Sequence, residues 1–199
     1  MKNLEIRSSQ GLELREAADG KPAVLVGYAA VFNSQSEDLG GFVEIIRPGA
    51  FAKSLSSDAE IMALIAHDWD EPLARRSAGT LKLEEDEKGL RVEITLADTT
   101  RAKDLVADIR ARNFEGMSFG FKCDEGGDRW TFNSTQGPAL RELLSVNIGE
   151  VSVTTEPAYT DTEIAVRSMN MAKGATPKET QTTHAKLNSL RLRLLNAFA

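Results

Sequence analysis

Apolar side chains recur at every second position over short stretches of this chain, and this spacing limits the possible folds more than any other feature. Residues 81–85 and 90–96 alternate in this way, and the turn-forming residues 86–89 lie between them. Because successive side chains of a strand point to opposite faces, the pattern predicts a hairpin with one buried and one solvated face.

The same alternation predicts further strands. Two more hairpins are expected, each joined by a turn that contains glycine: 12–16 with 23–32, and 117–123 with 129–132. The stretch 143–154 is rich in β-branched residues, which predicts one more strand.

Two segments have features of helices instead. One helix is predicted just after Pro48, because proline suits the first turn of a helix. A longer helix is predicted to begin at Asp98 or Thr99, which can cap it, and to end near Asn113. Many short strands with few helices, in no βαβ order, predict a mainly β protein with flanking helices (α+β), built on an antiparallel sheet or barrel.

Composition narrows the class of protein. Of 199 residues, 41% are hydrophobic and 27% are charged, which is typical of a globular chain. The longest apolar run, Ile61 to Ala66, is far shorter than the roughly 20 residues of a membrane-spanning helix, and the first ten residues do not resemble a secretory signal. The net charge of −6 argues against binding to duplex nucleic acid. We therefore expect an intracellular protein without a membrane or nucleic-acid partner.

Cysteine and histidine are scarce. The chain has one cysteine, Cys123, and two histidines, His67 and His184. These counts exclude an intramolecular disulfide and a cysteine-built zinc site, and they argue against a histidine-rich metal site. No metal or cofactor is expected.

Charge is distributed unevenly along the chain. Residues 168–199 carry five cations and one anion, whereas residues 1–167 carry 19 cations and 29 anions. The division predicts an acidic domain over 1–167 and a flexible linker over 168–183. Residues 184–199 place Leu187, Leu190, Leu194 and Phe198 on one helical stripe, which predicts a short basic amphipathic helix or a removable tail. A terminus that simply packs on the domain would have the same pattern.

Ser118 lies in the most informative motif, Gly-Met-Ser-Phe-Gly over 116–120. If Met117 and Phe119 point into the core, Ser118 points the other way, between two glycines that leave room for a substrate backbone. Glycines that only mark a twist or bulge are the structural alternative. The motif also matches the nucleophile elbow of α/β-hydrolases, but here a helix precedes the serine and a strand follows it, so that interpretation fails.

A serine nucleophile needs a base, and His67 is the only histidine within 1–167. It follows the apolar run 61–66, which predicts a buried strand that emerges at a sheet edge. A solvent-exposed loop histidine is the alternative.

A carboxylate is expected to orient that histidine, and four acidic residues are candidates: Asp68, Asp70, Glu150 and Glu156. Glu150 is favoured because the apolar register changes parity around Gly149, which predicts a β-bulge, and bulges re-aim side chains. An exposed strand glutamate is the alternative.

Five blocks in order, GYAAVFN, FVEIIRPGAF, AHDWD, GMSFGF and LLSVNIGEVSVTTEPAY, resemble the prohead (procapsid maturation) serine proteases of tailed bacteriophages. The likeness covers residues 3–167. In that family the catalytic histidine lies in the His-Asp pair, the serine in the G-x-S-x-G-F block, and an acidic residue opens the E-V-S block. These match His67, Ser118 and Glu150.

The resemblance implies a serine endopeptidase with a small β-barrel like that of the herpesvirus assemblins. It implies cleavage of the scaffolding region of the major capsid protein, and of the protease itself, inside the assembling prohead in the host cytoplasm. Because the assemblins form dimers, the resemblance also implies a dimer for this chain. Two rival functions are a non-catalytic capsid assembly or scaffold protein with the same fold and a small-molecule serine esterase.

Overall fold

Strands dominate the structure, a computed structural model that describes residues 4–16, 22–132, 137–155 and 162–174. The elements in chain order are β1 (Glu5–Gln10), β2 (Leu12–Arg15), β3 (Val24–Val31), β4 (Phe42–Ile46), α1 (Ala52–Ser56), β5 (Met62–Ile65), β6 (Asp68–Arg75), β7 (Leu81–Glu85), β8 (Gly89–Thr95), α2 (Thr100–Arg110), β9 (Gly116–Lys122), β10 (Asp128–Thr131), β11 (Ala139–Leu143), β12 (Asn147–Thr154) and α3 (Thr162–Ala172). The mainly β class with flanking helices is thereby confirmed.

These strands form three sheets, ordered β1-β9-β12-β5-β6, β2-β3-β8-β7 and β10-β11-β4. None of the three closes on itself within the described residues, so the predicted barrel is not confirmed. Most strand pairs are antiparallel, as predicted, but β12 pairs with β5, and β11 with β4, in parallel. Parallel neighbours need long connections, and here each pair joins segments that are far apart in the sequence.

Two of the three predicted hairpins are confirmed. β7 pairs with β8, and β2 pairs with β3, both antiparallel. The third is wrong: β10 pairs with β11 rather than with β9. Both edges of β9 are already occupied, by β1 and β12, and Trp130 of β10 instead packs on Phe42, with ring centroids 4.9 Å apart.

Aromatic residues of β9 form the centre of the main core. Met117, Phe119 and Phe121 are completely buried, as their alternation predicts. Phe119 stacks on Phe121 at 5.1 Å and meets the ring of Phe51 edge-on at 5.4 Å. Such pairs add to the stabilisation from burial alone.

The predicted helices are present as α1 and α2. Thr99 caps α2, since its side chain accepts a hydrogen bond from the backbone N–H of Ala102 at 3.1 Å. Leu105 on the buried face of α2 joins the main core.

A smaller apolar cluster lies under α3, where Val166 and Met169 pack with Leu39, Phe42 and Ala139. The domain boundary predicted after residue 167 therefore falls inside a helix. The rest of the predicted linker and the terminal helix, from residue 175 onward, lie outside the described residues, so the division of the chain stays a prediction. No helix in the described ranges is both long and apolar enough to cross a membrane.

Buried charges hold β1 in place. Arg7 of β1 donates to both carboxylate oxygens of Glu44, at 2.7 and 2.8 Å, and Arg141 donates to both oxygens of Glu5, at 2.5 and 3.0 Å. Arg141 also donates to Asp128 at 2.7 Å. Burial by itself would lower the pKa of Arg141, but the hydrogen bond to Glu5 and the charges of Glu5, Glu44 and Asp128 together raise its pKa above the ordinary value. These pairs join β1 to β4, β10 and β11.

Candidate active site

Ser118 occupies the centre of β9 and faces Ser8 of β1 on one side and Ser152 of β12 on the other. Its neighbours Met117 and Phe119 point into the core, so its side chain lies on the opposite face of the sheet. Sequence reasoning expected open space there. Ser118 is instead completely buried, with strands on both sides.

His67 lies in the tight turn between β5 and β6. Ala66 and His67 both have positive φ, 48° and 63°, which is uncommon for residues other than glycine. Two hydrogen bonds to β12 hold the turn: the Ala66 N–H donates to the Val153 carbonyl at 2.9 Å, and the His67 N–H donates to Ser152 Oγ at 3.1 Å. Strained backbone of this kind persists only when surrounding contacts fix it.

Glu150 follows the bulge that was predicted around Gly149. The pairing of β12 with β9 shifts between Ile148 and Glu150, and the Glu150 side chain is 2% exposed. A Cβ built on Gly120 would overlap Glu150 Oε1, so only a glycine at that position leaves room for the carboxylate. The bulge thus directs a buried carboxylate over β9, on the face that carries Ser118.

His67 and Glu150 are in direct contact. Nδ1 of His67 lies 2.8 Å from Oε1 of Glu150. A carboxylate can only accept, so in this contact Nδ1 is the donor, and in the neutral form of the ring Nε2 carries the lone pair. Nε2 is buried and has no hydrogen-bond partner in the described part of the chain. An imidazole in this state can accept a proton from a hydroxyl.

The Ser118 hydroxyl donates to the carbonyl oxygen of Arg7 at 2.8 Å. The structure therefore brings His67 and Glu150 together, and it places Ser118 on the same face of the sheet with its hydroxyl turned towards β1.

The other acidic candidates are elsewhere. Asp68 and Asp70 are exposed on β6, where Asp68 Oδ1 accepts the backbone N–H of Asp70 at 2.9 Å. Glu156 lies outside the described residues.

Sequence reasoning missed Ser152. This buried residue donates from Oγ to Glu150 Oε2 at 2.6 Å and accepts from the His67 N–H. The available signal was its position two residues after Glu150, which puts both side chains on one face once the bulge is recognised. Over the described ranges, no group of three or more His, Cys, Asp or Glu side chains is arranged to hold a metal ion.

The chain belongs to the caudovirus prohead serine protease family, whose family model matches residues 5–177. Among curated proteins, it is 33% identical over 156 residues to the prohead protease of Enterobacteria phage HK97. That alignment covers 77% of this chain, and the chain spans 64% of the length of the HK97 protein.

The fold is similar to that of a solved structure, the bacteriophage T4 capsid assembly protease. The TM-score is 0.50 at 12% sequence identity, and the match covers 76% of this chain and 96% of the T4 chain. At this identity the likeness concerns the fold.

Proposed function

We propose that this chain is a serine endopeptidase of tailed-phage head assembly, in which Ser118 is the nucleophile, His67 the general base and Glu150 the group that orients His67. One observation carries the proposal. His67 and Glu150 form a buried 2.8 Å pair that leaves Nε2 without a hydrogen-bond partner within the described residues, on the same side of the sheet as Ser118. Family membership supports the same chemistry.

The reaction begins when the Ser118 hydroxyl leaves the Arg7 carbonyl and turns towards Nε2 of His67. Oγ attacks the scissile carbonyl carbon as Nε2 takes its proton, and Glu150 stabilises the imidazolium that forms. The imidazolium then protonates the leaving amine, and the C–N bond breaks to leave an acyl ester on Ser118. Water, deprotonated by His67, hydrolyses the ester and restores the serine.

The substrate we propose is the scaffolding region of the major capsid protein, together with the protease itself. The support is the naming of two similar proteins as a prohead protease and a capsid assembly protease. The same names favour action inside the prohead, in the host cytoplasm. An assemblin-like barrel and dimer belong to this proposal as well.

The basic segment after the domain is proposed to dock the enzyme into the prohead. Its charge is opposite to that of residues 1–167, and high local concentration would favour cleavage. Deleting residues 175–199, which leaves α3 intact, should lower the amount of protease recovered in isolated proheads. Unchanged recovery would contradict docking by this segment without affecting the assignment of the active site.

Cleavage of co-expressed capsid protein by the wild type and by Ser118→Ala tests the catalytic proposal. The wild type should release the scaffolding fragment, and Ser118→Ala should release none while remaining folded. A serine-directed phosphonate should label the wild type at Ser118. Cleavage that persists in Ser118→Ala would show that another group is the nucleophile, and a wild type that cleaves no peptide would favour the scaffold protein.

The esterase alternative predicts a deep apolar pocket beside Ser118. A cavity of about 330 Å³ lies along β1, but Ser118, His67 and Glu150 are not among the residues that line it. This cavity is therefore not an ester pocket at the proposed nucleophile. Parallel assays on a peptide and on a simple aryl ester separate the two activities.

A further inference from the structure

Ser152 joins the two parts of the proposed base through a single hydroxyl. Its Oγ donates to Glu150 Oε2 at 2.6 Å and accepts from the backbone N–H of His67 at 3.1 Å. The contact between Nδ1 and Oε1 closes the ring of interactions, so His67, Glu150 and Ser152 each contact the other two.

The fold explains why this hydroxyl is available. After the bulge in β12, Glu150 and Ser152 lie on the same face, and β12 pairs in parallel with β5, whose end leads directly into the His67 turn. Ser152 is completely buried, so water does not compete for its hydrogen bonds.

Each contact of Ser152 restricts a different movement of the His67–Glu150 pair. With Oε2 bound to Ser152, the carboxyl group of Glu150 cannot rotate without losing a hydrogen bond, and Oε1 stays directed at Nδ1. Because the backbone N–H of His67 donates to Ser152 Oγ, the left-handed backbone at His67 is held in place as well. A hydroxyl supplies one donor and two acceptor sites, which is sufficient for both contacts.

Ser152 is less suited to act as the nucleophile itself. Its proton is directed to a carboxylate oxygen, whereas the lone pair on Nε2 of His67 has no partner within the described residues. Its geometry is that of a group that acts through Glu150 and His67.

We propose that Ser152 is a positioning residue that fixes the His67–Glu150 pair in the arrangement needed for proton transfer. This inference rests on the proposed function of the site. Removal of the hydroxyl should leave substrate binding largely intact and impair the chemical step, because misplacement of a catalytic group by about 1 Å can lower a rate about 100-fold.

The test compares Ser152→Ala with a matched control on the same strand. Thr154 is buried two residues further along, and its Oγ1 has no hydrogen-bond partner among the described residues. Thr154→Val therefore removes a buried hydroxyl that makes no hydrogen bond within the described residues. Ser152→Ala should lower kcat about 100-fold with KM within about twofold, whereas Thr154→Val should keep both constants. Ser152→Thr, which restores a hydroxyl, should recover part of kcat.

A second measurement does not depend on cleavage. In a Ser118→Ala background, the proton on Nδ1 of His67 should give a low-field resonance in ¹⁵N-histidine-labelled protein, and His184→Gln identifies the signal of the other histidine. The resonance should disappear in Ser152→Ala and persist in Thr154→Val. If Ser152→Ala fails to fold, Ser152→Cys takes its place. The thiol fills a similar space but is only a weak donor, so the resonance should be lost in this variant too.

Wild-type kcat together with an intact resonance in Ser152→Ala would overturn the inference, and so would phosphonate labelling at Ser152. If Ser118→Ala still cleaves, the assignment of the nucleophile fails. Loss of the resonance in Ser152→Ala would then still support the positioning of the His67–Glu150 pair.

Discussion

The Ser118 hydroxyl donates to the Arg7 carbonyl at 2.8 Å, so the proposed nucleophile is hydrogen-bonded to a neighbouring strand and not to its base. This bond is one neutral hydrogen bond, which contributes only about 1 kcal/mol net to stability. Ser118→Ala should accordingly lower the free energy of unfolding by about 1 kcal/mol, measured by urea denaturation. A variant that fails to fold would show that the bond contributes far more, and its inactivity would then say nothing about catalysis.

Gly120→Ala should impair cleavage through Glu150. The added methyl would overlap Oε1 of Glu150 and push the carboxylate away from His67, so we expect a loss of about 100-fold in kcat, measured with a peptide substrate.

Gly116→Ala is the matched control, because Gly116 lies two residues before Ser118 just as Gly120 lies two residues after it. A Cβ at Gly116 would lie 3.1 Å from Ser9 O and from Thr154 Oγ1, far from the carboxylate. Its kcat should fall much less. Equal losses of kcat in both variants would mean that the glycines are needed for the structure of β9 and not for the position of the Glu150 carboxylate.

Glu150→Gln should lower kcat by roughly 10⁴-fold, as expected when an amide replaces the carboxylate that sets the tautomer of a catalytic histidine. The amide keeps the size of the side chain, so packing over Gly120 should be preserved. Steady-state kinetics measures the loss, and circular dichroism checks the fold. An active Glu150→Gln enzyme would direct attention to Glu156 as the orienting acid.

Glu44→Gln should destabilise the protein by about 3–5 kcal/mol, because it leaves Arg7 and Arg141 buried with incomplete neutralisation. The free energy of unfolding in urea measures the effect. Glu13→Gln, in the exposed pair with Arg15, should cost far less, because solvent screens an exposed ion pair. Similar values for the two variants would contradict a structural role for the buried charges.

Thiol reagents should not inactivate the enzyme. Burial, together with the charge of Asp128, raises the pKa of the Cys123 thiol to about 11. Because only the thiolate reacts, its alkylation by iodoacetamide at pH 8 should be about 100-fold slower than that of an ordinary thiol. Mass spectrometry of the native and the urea-unfolded chain measures the two rates. Rapid loss of activity with labelling at Cys123 would contradict the assignment of a serine nucleophile.

The features of the site that could be predicted are those encoded by neighbouring residues or by residue counts. A change in the parity of apolar residues around Gly149 revealed the bulge, and the scarcity of histidine singled out His67. The left-handed turn could not be predicted, because Ala66 and His67 lack the glycine or asparagine that usually marks such a turn. Its geometry is imposed by hydrogen bonds from β12, which lies more than 80 residues away in the sequence.

The environment of Ser118 also depends on distant contacts. Its burial follows from the position of β1, which is fixed by ion pairs with Glu44 and Arg141 on other strands. The partner of β10 was missed for a similar reason, since packing of Trp130 on Phe42 joins segments that no local pattern connects. Alternation identifies strands, but the choice between possible partners is made by the assembled core.

The parallel pairing of β5 with β12 has a consequence for the newly synthesised chain. The imidazole comes from the first half of the polypeptide, and its anchors come from residues 150–153, which leave the ribosome much later. Until those two segments meet, the turn has no support and the ring has no carboxylate beside it. On the proposed mechanism, a nascent chain therefore has no assembled base, and its serine can attack a peptide bond only once β12 has joined β5.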